Sequence, residues 1–180
     1  GAHQGVIAMV AAHSYATLDD ILNRAKERGE APLIVICDEL SDPHNLGAII
    51  RTAECAGAHG VVIPKRRSVG LTAIVGKASA GALEYMPVAR VTNITNAIKE
   101  LKERGVWIFG TAAEGATPLY QADLKGAAAI VIGNEGDGMS RLVAESCDLK
   151  VSIPMKGRIS SLNASAAAAI LLYEAVRQRG

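Results

Sequence analysis

The stretch that decides the fold is residues 33–63, LIVICDELSDPHNLGAIIRTAECAGAHGVVI. It opens with Leu33-Ile-Val-Ile-Cys37, an unbroken apolar run rich in β-branched residues, which predicts a strand buried on both faces. Asp38 to His44 reads as a polar loop containing Pro43. Asn45 to Ala56 reads as a helix with Leu46, Ile49, Ile50 and Ala53 on one face, ended by Gly57. Val61-Val-Ile63 is a second buried strand, closed by Pro64. Two doubly buried strands joined by a helix predict a parallel α/β sheet with helices on both faces.

The same alternation runs outward in both directions. Before the stretch, Leu18 to Arg28 is an amphipathic helix with Thr17 as its N-cap and Leu18, Ile21, Leu22 and Ala25 as its apolar stripe. After it come helices at Thr72–Ala82, Asn96–Arg104 and Arg141–Glu145 and strands at Val88–Val91, Val106–Phe109, Ala128–Ile132 and Lys150–Ile153, with a Gly-rich polar loop over Gly110–Ala122. The last third is a polar turn, Pro154 to Asn163, followed by a helix whose first turns are almost all Ala and Ser, so another backbone or a flat ligand can approach closely. The 180 residues form one domain, and Gly1–Ala12 reads as an abrupt start to an excised domain or a tag scar.

Composition narrows the chemistry. Aromatics make up 3%, so stacking on aromatic platforms is not the main recognition mode, and a net charge of +1 confines any nucleic-acid binding to local patches. Cys37, Cys55 and Cys147 are scattered without a CxxC pair, and His3, His13, His44 and His59 have no metal-ligand spacing. The expectation is reduced core thiols in a cytoplasmic protein, with no metal and no membrane segment. Gly70–Ala78 imitates a P-loop but has one residue too many and ends in Ala where a Mg²⁺ ligand belongs. Gly133–Gly138 is not GxGxxG.

Ligands of a parallel sheet collect at the carboxyl ends of its strands. Three polar loops leave such ends: Gly110-Thr-Ala-Ala-Glu114, Gly133-Asn-Glu-Gly136 and Pro154-Met-Lys-Gly157. Their glycines and free backbone groups suit an adenosine-type ligand held by main-chain hydrogen bonds. In the segment Asp42–Ala53, Asn45 lies near a helix start and Arg51 roughly two turns later, with both expected along one polar edge. Lys65-Arg66-Arg67 is the densest basic cluster, and Lys156 and Arg158 lie inside the last polar turn.

Three of these segments together resemble the SpoU/TrmH family of RNA ribose 2′-O-methyltransferases, in the SPOUT superfamily. They are DPHNLGAIIRTAECAGAHGVVIP, IVIGNEGDGMS and IPMKGRISSLNASAAAAILLYEA. The opening His3-Gln-Gly-Val6 is similar to the lead-in of the RlmB-like branch, which modifies guanosine in 23S rRNA. That branch carries a small N-terminal RNA-recognition domain, so the chain reads as the catalytic domain alone. The resemblance implies a Rossmann-like fold with a deep C-terminal trefoil knot, S-adenosyl-L-methionine as cofactor, RNA (foremost rRNA) as partner, and a homodimer through the knot and the last helix. It implies catalytic roles for Asn45, Arg51, Glu135, Ser161 and Asn163. The implied cofactor contacts are Thr111, Ala112, Gly133, Asn134, Gly136, Ile153, Pro154, Met155, Ser161, Leu162 and Asn163. Lys65, Arg66, Arg67, Lys156 and Arg158 are the candidate RNA contacts. A tRNA ribose methyltransferase, a non-catalytic RNA-binding or ribosome-assembly module, and a base methyltransferase are the competing readings.

Overall fold

The computed structural model describes residues 14–113 and 116–180. The readings of Gly1–Ala12 and of His3–Val6, and the end of the Gly110–Glu114 loop, lie outside those residues. The chain runs α1 (Leu18–Glu27), β1 (Leu33–Cys37), α2 (Pro43–Cys55), β2 (Gly60–Pro64), α3 (Ala73–Ala78), β3 (Val88–Val91), α4 (Ile94–Glu103), β4 (Trp107–Thr111), β5 (Thr117–Pro118), β6 (Ala128–Ile132), α5 (Arg141–Ser146), β7 (Leu149–Ser152) and α6 (Ala164–Arg179). The strands form one parallel sheet in the order β3-β2-β1-β6-β4-β7-β5.

Alternation along the central strands builds two cores. Leu33, Val35 and Cys37 face a cluster with α2, α3 and α6, whereas Ile34 and Ile36 face α1, α4 and α5. Both faces are covered, which is why β1, β2 and β6 are apolar at every position and fully buried. The chain goes outward through β1, β2 and β3 and then crosses to β4, with β6 inserted between β1 and β4. That reversal of strand order opens a crevice at the carboxyl ends of β4, β6 and β7.

Thr17 caps α1 as expected, in a reciprocal box with Asp20. Several expected boundaries move. The second helix begins at Pro43, with Asp42 rather than Asn45 at the cap, because Pro's fixed φ suits the first helical position. The Asn96–Arg104 helix starts two residues earlier, where Asn93 accepts from the Asn96 N–H at 2.9 Å. The Thr72–Ala82 helix ends at Ala78, since Ala80 and Gly81 turn into the left-handed region, at φ 53° and 89°. The Gly110–Ala122 loop holds β5 and a single 3₁₀ turn, Leu119–Gln121. Of the thiols read as core, Cys37 is buried, Cys147 partly so, and Cys55 exposed on α2, whose apolar stripe does not include it.

Candidate cofactor pocket and its polar tie

The loops after β4, β6 and β7, together with the start of α6, enclose a pocket of about 520 Å³. This lies within the usual range for small-molecule sites. Its walls include Thr111, Ala112, Gly133, Asn134, Gly136, Ile153, Met155, Ser161 and Leu162, all expected as cofactor contacts. Pro154 and Asn163, also expected there, are not on its walls. Met139, Ala144, Lys150, Ala164 and Ala167 line it as well and were not singled out from the sequence. Strand parity sets Lys150 on the face opposite Leu149 and Val151, but nothing local shows that this face meets the pocket.

The loop after β6 is tightly built. Asn134 and Gly138 exchange backbone hydrogen bonds at 2.9 and 3.0 Å. The Asn134 side chain accepts from the Gly136 N–H at 2.9 Å and donates to the Glu39 carbonyl at 2.7 Å. Gly133 must be glycine, because a Cβ there would overlap the backbone of Gly138 and Met139. On the other side, buried Asp38 accepts from the Ser140 N–H at 2.7 Å, locking the loop's exit to the end of β1.

A single chain of hydrogen bonds joins the three motif segments. The Glu135 carboxylate accepts from the Asp42 N–H at 3.1 Å, from Ser41 at 3.3 Å, and from the Asn45 amide at 3.3 Å. The Asn45 carbonyl oxygen in turn accepts from the Asn163 amide at 3.0 Å. The Asn163 oxygen caps α6 through the N–H groups of Ser165 and Ala166, at 2.9 and 3.3 Å. The orientation of both amides is forced. One end of the chain is a carboxylate that only accepts, and the other is a helix N-terminus that only donates. Partial burial alone would raise the Glu135 pKa. The hydrogen bonds from its own N–H, Asp42, Asn45 and Ser41 outweigh it and hold the carboxyl below its ordinary value.

The other expected residues are more dispersed. Ser161 is exposed on the pocket wall. Arg51 does not share an edge with Asn45. Asn45 is 6% exposed and turned inward, whereas Arg51 stands on the far side of α2 in solvent, without an ion pair or hydrogen bond among the described residues. Six residues on a helix amount to roughly 240° of rotation, which separates them. His44 lies seven residues before Arg51, hence on nearly the same exposed face, with Nδ1 3.4 Å from Asp42. Lys65, Arg66 and Arg67 are exposed in the loop after β2, and Lys156 and Arg158 in the loop before α6. His59 serves the fold: Nδ1 accepts from the Leu33 N–H at 2.9 Å and Nε2 faces Glu30 at 3.0 Å. Burial pushes the Cys37 thiol up to about 12, so it is not a nucleophile. No cluster of metal-ligating side chains occurs among the described residues, and none of their helices is long and apolar enough to cross a membrane.

The model of the SpoU rRNA methylase family matches residues 32–173. A Bacillus subtilis protein, YacO, assigned to the TrmH family of tRNA/rRNA methyltransferases, is 55% identical over 99% of this chain and 72% of its own. The fold superposes with a TM-score of 0.83 on the SpoU methyltransferase AviRb of Streptomyces viridochromogenes, crystallised with S-adenosylmethionine (34% identity; 92% of this chain and 66% of that one). An RNA 2′-O ribose methyltransferase gives 0.75 at 29% identity, over 93% of this chain and 60% of that one. The chain therefore spans about two-thirds or less of these two solved proteins. With its three motif segments joined by one hydrogen-bonded chain beside the pocket and a family match over most of its length, the chain belongs to the SpoU rRNA methylase family.

Proposed function

We propose that this chain is the catalytic domain of an S-adenosylmethionine-dependent RNA methyltransferase that methylates a ribose 2′-hydroxyl, with a guanosine of 23S rRNA as its target. The observation that carries this reading is the Glu135–Asn45–Asn163 chain, which ties the first motif segment to the two motif loops that wall the pocket. The residues present fit the cofactor. Apolar Ile132, Val151, Leu162 and Ala167 offer a slot for a flat base, and the Gly133 turn brings bare backbone to the rim. When bound, S-adenosylmethionine supplies a methyl group on a sulfonium sulfur.

The protein's task is then to place a weak oxygen nucleophile in line with that methyl and to stabilise the charge developing on it. Asn45, Glu135 and Asn163 hold the loops in register, and Ser161 faces the ribose. Arg51, free in solvent on α2, clamps an RNA phosphate. Lys65, Arg66, Arg67, Lys156 and Arg158 bind the RNA backbone. The C-terminal segment is knotted, and a homodimer forms through the knot and α6. Exposed Met155, Ile159, Leu162 and Tyr173 at this end of the molecule support that assembly.

Transfer of labelled methyl to rRNA fragments, followed by alkaline hydrolysis, tests the reading. A 2′-O-methyl blocks attack of that oxygen on the neighbouring phosphate, so label is expected in alkali-resistant dinucleotides. Label in single nucleotides would place the methyl on a base, and no transfer to either rRNA or tRNA would favour a non-catalytic binding module. Arg51→Lys is expected to slow transfer at least ~10-fold, because Lys lacks the bidentate fork.

A further inference from the structure

We propose, resting on the S-adenosylmethionine reading above, that Lys150 and Asp137 grip the amino-acid end of the cofactor, Lys150 taking its carboxylate and Asp137 its ammonium. Lys150 is the sole cation on the pocket walls formed by described residues. Its neighbours Leu149 and Val151 pack into the core shared with α6, so Lys150 faces the other side of the sheet. There it pairs in register with Gly110 of β4, which contributes no side chain. The space a Cβ would take at Gly110 is held by the Cys147 Sγ and the Met139 Cε, 2.6 and 2.8 Å from that point. The Lys150 stem thus rises beside uncharged sulfur groups. Burial pushes the Cys147 thiol up to about 11, so it stays neutral and does not compete for the ammonium.

Lys150 is exposed and has no ion pair or hydrogen bond among the described residues, so its charge is available to a ligand. The carboxylates on the same pocket walls are Glu135 and Asp137. Glu135 is committed to Ser41, Asp42 and Asn45. Asp137 keeps its carboxylate unpartnered, while its N–H is held by Asn134 at 3.4 Å. β6 and β7 flank β4, so their ends lie roughly 10 Å apart, two strand spacings. One free cation and one free anion on the walls of one pocket match an α-amino-acid group, which carries both charges on one carbon.

Titration of the wild type, Lys150→Met and Asp137→Asn with S-adenosylhomocysteine and with 5′-methylthioadenosine tests this assignment. The second probe keeps the adenosine and the thioether but lacks the amino-acid end. Each variant is expected to bind S-adenosylhomocysteine ~10-fold more weakly and methylthioadenosine as the wild type does, the loss of one charge-assisted contact. Circular dichroism checks that the fold is kept. Equal losses for both probes, or no loss with either, overturn the assignment while leaving the cofactor reading intact. A wild type that binds neither probe overturns both.

Discussion

Asn163 acts on two elements at once, capping α6 through its oxygen and tying Asn45 through its amide. Asn163→Ala removes both and is expected to cost about 1–2 kcal/mol in urea unfolding. Asn163→Asp keeps the capping oxygen but cannot donate to Asn45, so its loss should fall between wild type and alanine. A second residue sets the acid limb of stability. Glu174 is buried beneath the surface of α6 and accepts from Arg177 at 2.6 and 3.0 Å and from Gln178 at 2.9 Å. Hydrogen bonds from Arg177 and then Gln178 pull its carboxyl down to about 2 from an ordinary 4.5. The folded value is depressed, so the stability it contributes is present above 4.5 and is lost as pH falls from there toward 2. Urea midpoints measured from pH 6 to pH 3 should decline, and Glu174→Gln should flatten the decline.

At the scale of elements, α2 is the piece on which the site is assembled. It meets α6 through Asn45 and α3 through Gly47, where an added Cβ would overlap Ala78. Gly47→Ala therefore forces two helices apart and is expected to cost about 1–3 kcal/mol, read by thermal or urea unfolding. If it unfolds like wild type, α3 yields without loss and the close approach is not needed. Much of α2 was legible in sequence, since Leu46, Ile49, Ile50 and Ala53 recur at helical spacing. Its start was not, because Pro43 looks like a breaker until it is seen at the first turn behind the Asp42 cap. The two-residue β5 was invisible for a different reason: it is too short to carry any period.

For the whole molecule, α6 is pinned at both ends. At its C-terminus the Arg179 guanidinium donates to the carbonyls of Ala31, Pro32, Leu124 and Gly126, at 2.6 to 3.0 Å. Gln178 adds bonds with Ala122 and Leu124 at 2.8 and 2.7 Å. Arg179→Ala strands several carbonyls at the base of the sheet and is expected to cost about 1–3 kcal/mol, with faster amide exchange in the last turns of α6. Protection equal to wild type would show that α6 is held by its apolar face alone. The sequence by itself determined the parallel sheet, the two-sided burial of its central strands and the three loops that form the pocket. Those features follow from local runs and periods, which each segment carries independently of its partners. The tertiary structure alone decided that Glu135, Asn45 and Asn163 become one hydrogen-bonded chain and that Lys150 and Asp137 line the same cavity. Direction and distance between segments 13 to 118 residues apart are set by strand order and helix packing, and no local pattern encodes them.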